Sequence, residues 1–138
     1  YSQSLIILRA AICVRLRKES FMKTFPLEKY GTTRPIQLQV AAYMNGNLAI
    51  EMITWEDGCP EPWNTLTVNL TWPCEKDCAF IDTNNNGKEI LIWLKKHKLA
   101  APTGRELKSG FCTYPEYRFQ EALLREIDPD GYEAYLQV

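Results

Sequence analysis

Polar and apolar residues alternate from Ile36 to Tyr43, where Ile36, Leu38, Val40 and Ala42 interleave with Gln37 and Gln39. A period of two predicts a half-buried strand. Asn45-Gly46 follows as a strong hairpin signal, with Leu48 to Trp55 as the return strand. Parity decides the register. A two-residue loop would pair Val40 with Glu51 and Leu38 with Ile53, mixing the faces, whereas a three-residue loop at Met44-Asn45-Gly46 pairs Val40 with Ile50 and Leu38 with Met52. The second register is preferred, as a type I turn closed by Gly46 in the left-handed conformation with a bulge.

Residues 56–64 are acidic and carry Pro60 and Pro62, which predicts a loop. Thr65 to Trp72 alternates again, with Leu66, Val68, Leu70 and Trp72 on one face, and predicts a strand. Pro73 to Cys78 turns the chain, Ala79 to Asp82 makes a short strand, and Thr83 to Gly87 breaks it. Glu89 to Lys98 has helical spacing through Ile90, Leu91 and Leu94, and its basic end suits the helix dipole. Ala100 to Gly110 reads as a long connection with a short strand near Glu106 to Lys108. Thr113-Tyr-Pro-Glu116 has the capping-box pattern, so a second helix is expected from Pro115 to Ile127 with Phe119, Ala122, Leu123 and Ile127 inward. Asp128 to Gly131 reads as a turn, and Tyr132 to Val138 is unassigned. Together these predict an α+β fold, an antiparallel sheet of three to five strands meandering through the Asn45-Gly46 hairpin and packed by two helices.

With 138 residues, 46% of them hydrophobic and 24% charged, the chain has the composition of one soluble globular domain. A formal charge of −1 excludes a global field that would pull it onto nucleic acid or an anionic membrane. The charge is uneven. Residues 1–21 are basic and apolar, carrying Arg9, Arg15, Arg17 and Lys18 against Glu19, while residues 22–138 carry a net of −4. That break places a leader or an added amphipathic helix at 1–21, Met22 as a natural start, and a single domain over 22–138. The leader has no basic stretch ahead of its apolar run and is too short to span a bilayer.

Asp82-Thr-Asn84-Asn-Asn86-Gly87 matches the opening of a calcium loop, yet Trp93 stands where the bidentate Glu belongs, so an N-capped turn explains it better. Of five cysteines, Cys59, Cys74, Cys78 and Cys112 are weak candidates for a zinc or small-ligand site, since Cys74 and Cys78 have one loose knuckle spacing and no second pair follows. An odd count without a signal peptide favours buried free thiols in the cytoplasm. The lone histidine, His97, sits in a basic helix end, which suits a dipole partner more than a catalyst. No P-loop, dinucleotide fingerprint or nucleophile elbow is present, so no cofactor and no catalytic residue are assigned. Asn69-Leu-Thr71 is a glycosylation sequon. Trp72 and Trp93 lie in periodic patterns and are expected in the core. Trp63 lies among Glu56, Asp57 and Glu61, and these four residues are the expected binding surface, suited to a basic protein partner. The competing expectation is that Trp63 folds back over the end of the sheet.

The strings Trp-Glu-Asp-Gly58, Leu66-Thr-Val-Asn-Leu70, Ala79-Phe-Ile-Asp-Thr-Asn84, Ala101-Pro-Thr-Gly104 and Ser109-Gly-Phe-Cys112 give the chain, from Met22 to about Leu124, a resemblance to a short uncharacterised family. It is a bacterial domain of unknown function associated with integrative and conjugative elements of gut Firmicutes. The resemblance implies a cytoplasmic accessory protein and brings no functional residues with it. The expected function is therefore non-enzymatic protein–protein binding. The alternatives are a mobile-element inhibitor of a host defence complex, of anti-restriction or anti-CRISPR type, and a zinc- or small-ligand-binding domain.

Overall fold

Parity places the central hairpin correctly in the computed structural model, which describes residues 23–138. Strands β2 (Thr32–Ala42) and β3 (Leu48–Glu56) pair with Val40 opposite Ile50 and Leu38 opposite Met52. The Gly46 amide donates to the Tyr43 carbonyl at 2.9 Å, and Gly46 takes φ 89°. The expected basic leader at 1–21 and Cys13 lie outside the described residues.

Two further hairpins widen this pair into a four-stranded antiparallel sheet in the order β1-β2-β3-β4. Strand β1 (Phe25–Lys29) turns into β2 through Tyr30 and Gly31, at φ 54° and 75°. The acidic stretch expected as a loop is instead the turn Asp57-Gly58, at φ 52° and 76°, followed by strand β4 (Cys59–Thr65). Two successive positive φ values are the mark of the type I′ turns that suit twisted hairpins. Pro60 and Pro62 are tolerated because β4 is an edge strand there, with no neighbour asking for their missing N–H groups.

The strand expected over Thr65 to Trp72 stops at Val68. After β4 the chain crosses at Leu66, whose N–H donates to Ile50 O and whose carbonyl accepts from the Asp82 amide, both at 2.9 Å. Leu66 thus joins the first sheet to a second, whose spatial order is β5 (Thr67–Val68), β6 (Cys78–Ile81), β8 (Cys112–Phe119), β7 (Ala100–Ser109). Beyond it Asn69, which parity sets on the face opposite Leu66 and Val68, is buried. Its carboxamide bonds those of Asn45 and Asn47, while Asn47 also holds Trp72 O at 2.7 Å and Cys74 N at 3.1 Å. These side-chain bonds replace a ladder and turn the segment outward, leaving Trp72 49% exposed and not in the core.

Residues 100–119 differ most from expectation. The connection over Ala100 to Gly110 is the edge strand β7, interrupted at Thr103 to Arg105 by a register shift. The capping-box residues Thr113 and Glu116 lie inside β8. Glu116 reaches no helix N-terminus; it accepts from Thr103 Oγ1 at 2.7 Å and Arg105 Nη2 at 3.0 Å, a buried carboxylate satisfied across the strand pair. Tyr114, Tyr117 and Phe119 suit a strand, and only Glu121–Ile127 is helical.

Four helices are described: α1 (Thr83–Asn86), α2 (Glu89–Lys96), α3 (Glu121–Ile127) and α4 (Pro129–Leu136). In α3 Leu124 and Ile127 are buried, Leu123 is half-buried, and Ala122 faces solvent. The Asp128-Pro-Asp-Gly131 turn is the capped start of α4. The protein is α+β, with Ile36, Leu38 and Val40 of β2 and Leu48, Ile50 and Met52 of β3 packed on Ile90, Trp93 and Leu94 of α2 and on Leu124, Ile127, Tyr132 and Tyr135 of α3 and α4. On the first sheet's other face, Ala41, Tyr43 and Ala49 form a second, smaller buried cluster.

Candidate functional site

Register brings the acidic residues and Trp63 to one face. Thr54 and Glu56 lie two apart in β3 and so share a face, and Glu61 pairs with Thr54. Opposite Met52 and Ile53 the partners are Asn64 and Pro62, which leaves Trp63 as the extra residue of a bulge. The bulge aims the indole back at the main core, where it is half-buried with the Arg34 guanidinium 5.8 Å from its ring centroid. Arg34 also lies 3.7 Å from the Glu56 carboxylate. Glu61 and Asp57 are exposed, Asp57 as the first residue of its turn. The four expected binding residues therefore share one hairpin end, and Trp63 forms part of a cleft wall there.

That cleft, of about 230 Å³, is lined by Leu27, Tyr30, Trp63, Asn64, Asn85 and Glu89 among others. Tyr30 is 90% exposed at the tip of the β1–β2 hairpin. Lys29 Nζ lies 5.5 Å from its ring centroid while bonding Asn86 O at 2.8 Å and Glu89 Oε2 at 2.9 Å. The lysine holds the Glu89 carboxyl below its ordinary pKa through that hydrogen bond. Both aromatic rings of the cleft thus already carry a cation of the protein's own.

A second cleft, of about 450 Å³, opens where the sheets meet, lined by Tyr43, Asn64, Thr65, Thr67, Asn69, Asp82, Asn84, Asn85 and Tyr114. Its one carboxylate is committed: Asp82 accepts from Asn85 N at 3.0 Å and from Asn85 Nδ2 at 2.8 Å, capping α1. The calcium-loop pattern is therefore an N-cap. Tyr43 bonds Thr67 Oγ1 at 2.9 Å, and burial pushes its hydroxyl up to about 12, helped by the carboxylates of Glu51 and Asp82. The carboxamides of Asn64 and Asn84 are exposed and make no hydrogen bond with the described residues. Sequence reasoning missed Tyr30, Asn64 and Tyr114 as site residues; Lys29-Tyr-Gly31 was a readable turn signal for the first, while the other two carry no signal until the sheets are assembled.

The cysteines do not converge. Cys59 starts β4 and is exposed, Cys74 lies in the Asn47-held loop, Cys78 is buried in β6, and Cys112 starts β8. No three His, Cys, Asp or Glu side chains come together to hold a metal among the described residues. Burial and the Glu116 carboxylate push the Cys74 thiol up to about 12, and burial raises Cys78 as well, so neither is an activated nucleophile. His97 packs edge-on between Phe25 and Trp93, with Nε2 3.3 Å from Pro26 O. The sequon residue Asn69 is buried in the asparagine network. No described helix is long and apolar enough to cross a membrane.

Neither the curated proteins nor the solved structures give a match to the chain. A family model does match, over residues 37–138, from the middle of β2 to the end of α4. It covers the two-sheet junction and the C-terminal helix, beyond the Leu124 boundary expected from sequence strings, and leaves out β1. The chain belongs to the family described as Domain of unknown function (DUF4313).

Proposed function

We propose that the chain is a non-enzymatic accessory protein of a bacterial mobile element that acts by binding a basic protein partner at the β3–β4 hairpin end. One observation carries the binding reading: register gathers Glu56 and Glu61 on the face where Tyr30 and Trp63 wall a cleft, with Glu89 at its edge. Arg34 and Lys29 already lie over the two rings, so a basic partner would be met by the exposed carboxylates of Asp57 and Glu61 beside them. The non-enzymatic reading rests on the packed ring of His97 and the committed carboxylate of Asp82, which supply no free acid–base pair in either cleft. The mobile-element setting rests on the sequence strings alone. The test is affinity capture from cells carrying the gene, comparing the native protein with Glu56→Lys/Glu61→Lys. Proteins captured by the native chain, lost in the charge-reversed variant and released by moderate salt support the reading; an identical set captured by both variants refutes it.

A further inference from the structure

Over most of the described surface each cation has a carboxylate. Every arginine of residues 23–138, together with Lys29 and Lys76, lies 2.8–3.7 Å from one. Lys88, Lys95, Lys96 and Lys98 are exposed and have no such partner among the described residues. All four belong to one helix: Lys88 is the N-cap of α2, Lys95 and Lys96 lie in its last turn, and Lys98 follows it. We infer that this lysine face of α2 rests on the surface of an anionic lipid bilayer, with Ile92 inserted among the headgroups. The face is distinct from the β3–β4 hairpin end, and its occupant is independent of the partner proposed there.

Helical spacing builds the face. Lys88, Ile92, Lys95 and Lys96 follow at intervals of four, three and one residues, opposite the buried Ile90, Trp93 and Leu94 that hold α2 on the core. Ile92 is 71% exposed in their midst. The one acidic residue of α2, Glu89, is bonded to Lys29 Nζ at 2.9 Å and offers the four lysines no counter-charge. The helix dipole accounts for cations at the C-terminal end, but not for Lys88, which stands at the positive end. The chain also enters the domain beside this face. Lys23 Nζ lies 5.5 Å from the Phe25 ring centroid, Phe25 packs edge-on against Trp93 and His97, and residues 1–21 ahead of it carry Arg9, Arg15, Arg17 and Lys18 against Glu19.

The side-chain chemistry selects the occupant. Exposed charges are screened over about 8 Å at physiological ionic strength, so a surface laid on α2 meets its lysines and not the net charge of the whole chain. Protein interfaces favour arginine and aromatic side chains and are depleted of lysine. Base readout and base stacking need Arg, Asn, Gln or an aromatic ring at the contact. The exposed face of α2 offers none of these. Lysines around an exposed aliphatic side chain are the composition of interfacial helices: the flexible stems keep each ammonium at the lipid phosphates while the apolar side chain reaches the acyl boundary.

The probe is co-sedimentation of the full chain with vesicles of phosphatidylcholine, alone or with about one-third phosphatidylserine. The anionic vesicles bind about tenfold more tightly than the neutral ones, and added salt releases the protein. Lys95→Gln/Lys96→Gln weakens binding about 25-fold, about fivefold per lysine, and Ile92→Ser weakens it about fivefold. Melting temperatures stay unchanged, because all three side chains are exposed and unbonded among the described residues. Lys108→Gln, at an exposed lysine without a carboxylate partner near the tip of the β7–β8 hairpin, leaves binding unchanged. Equal sedimentation with both vesicles, undiminished affinity in either the lysine or the Ile92 variant, or a loss of about fivefold in Lys108→Gln overturns the assignment. Tighter binding to a fluorescein-labelled DNA duplex than to the anionic vesicles, lost in Lys95→Gln/Lys96→Gln, overturns it too and gives the face to nucleic acid.

Discussion

Gly131→Ala should destabilise the domain although it places a better helix former in α4. Gly131 lies in the first turn of that helix, where alanine gains at most about 1 kcal/mol from propensity. A Cβ there would collide with the Asp128 carboxylate and the Val40 carbonyl. The carboxylate cannot simply step aside. Its Oδ1 accepts from Gly131 N at 3.0 Å and its Oδ2 from Val40 N at 2.9 Å, where β2 has run past the end of β1. Moving it strips a charge-assisted bond from a buried amide, about 1.5–3 kcal/mol, and overpacking adds about 1–3 kcal/mol. Set against the propensity gain, the net loss is about 1.5–5 kcal/mol. For a domain of this size that lowers the melting temperature by about 5–20 °C. Urea unfolding followed by tryptophan fluorescence measures it, with Ala134→Gly on the exposed face of α4 as the control at about 1 kcal/mol. A Gly131→Ala protein as stable as the native chain would refute the claim that this close approach fixes α4 on β2.

Two further outcomes follow from the raised pKa values. The Tyr43 hydroxyl keeps its proton in the folded state up to about pH 12 while the unfolded chain loses it near 10. Its contribution is therefore whole below about pH 10 and is lost as pH rises from there to about 12. A difference of that size is worth roughly 3 kcal/mol, so Tyr43→Phe should flatten this segment of the pH–stability curve, and an unchanged slope would show that Tyr43 is not the group responsible. With N-ethylmaleimide at pH 8, exposed Cys59 should react first, Cys74 far more slowly because its thiol is pushed up to about 12, and buried Cys78 only on unfolding; labelling of Cys74 as fast as Cys59, read by peptide mass spectrometry, would overturn the assignment.

The β2–β3 register, the strand expected at Ala79 to Asp82 and found at Cys78–Ile81, helix α2 and the Asp82 cap all follow from neighbours within a few residues, whereas the clean alternation of Thr65 to Trp72 makes a strand only over Thr67–Val68. Strand β1 escaped notice because its inward pair, Phe25 and Leu27, is too short a pattern to stand against Pro26, Glu28 and Lys29. Strand β8 was misread because Thr113 and Glu116 have capping-box spacing, whereas the carboxylate is claimed by Arg105, eleven residues away across a strand pair. Asn69 is set by parity opposite the apolar face of its expected strand and is nevertheless buried, because Asn45 and Asn47 of another hairpin satisfy it. The acidic cluster was visible in the chain. Its convergence with Tyr30 was not, since only the pairing of two hairpins on one sheet brings turn residue 30 and bulge residue 63 to the same cleft.

The outer strands of both sheets resist strand addition along most of their length. Strand β1 carries Pro26, β4 carries Pro60 and Pro62, and β7 carries Pro102 followed by the irregular stretch Thr103 to Arg105. Each of these three outer strands thus lacks N–H groups or regular geometry somewhere along its length, which hinders edge-to-edge pairing with another chain, and the fourth, β5, is only two residues long. Recognition by simple strand addition is disfavoured at all three. A partner engaging the β3–β4 hairpin end would therefore meet side chains rather than a strand edge, with the exposed Glu56, Asp57 and Glu61 as its charged contacts.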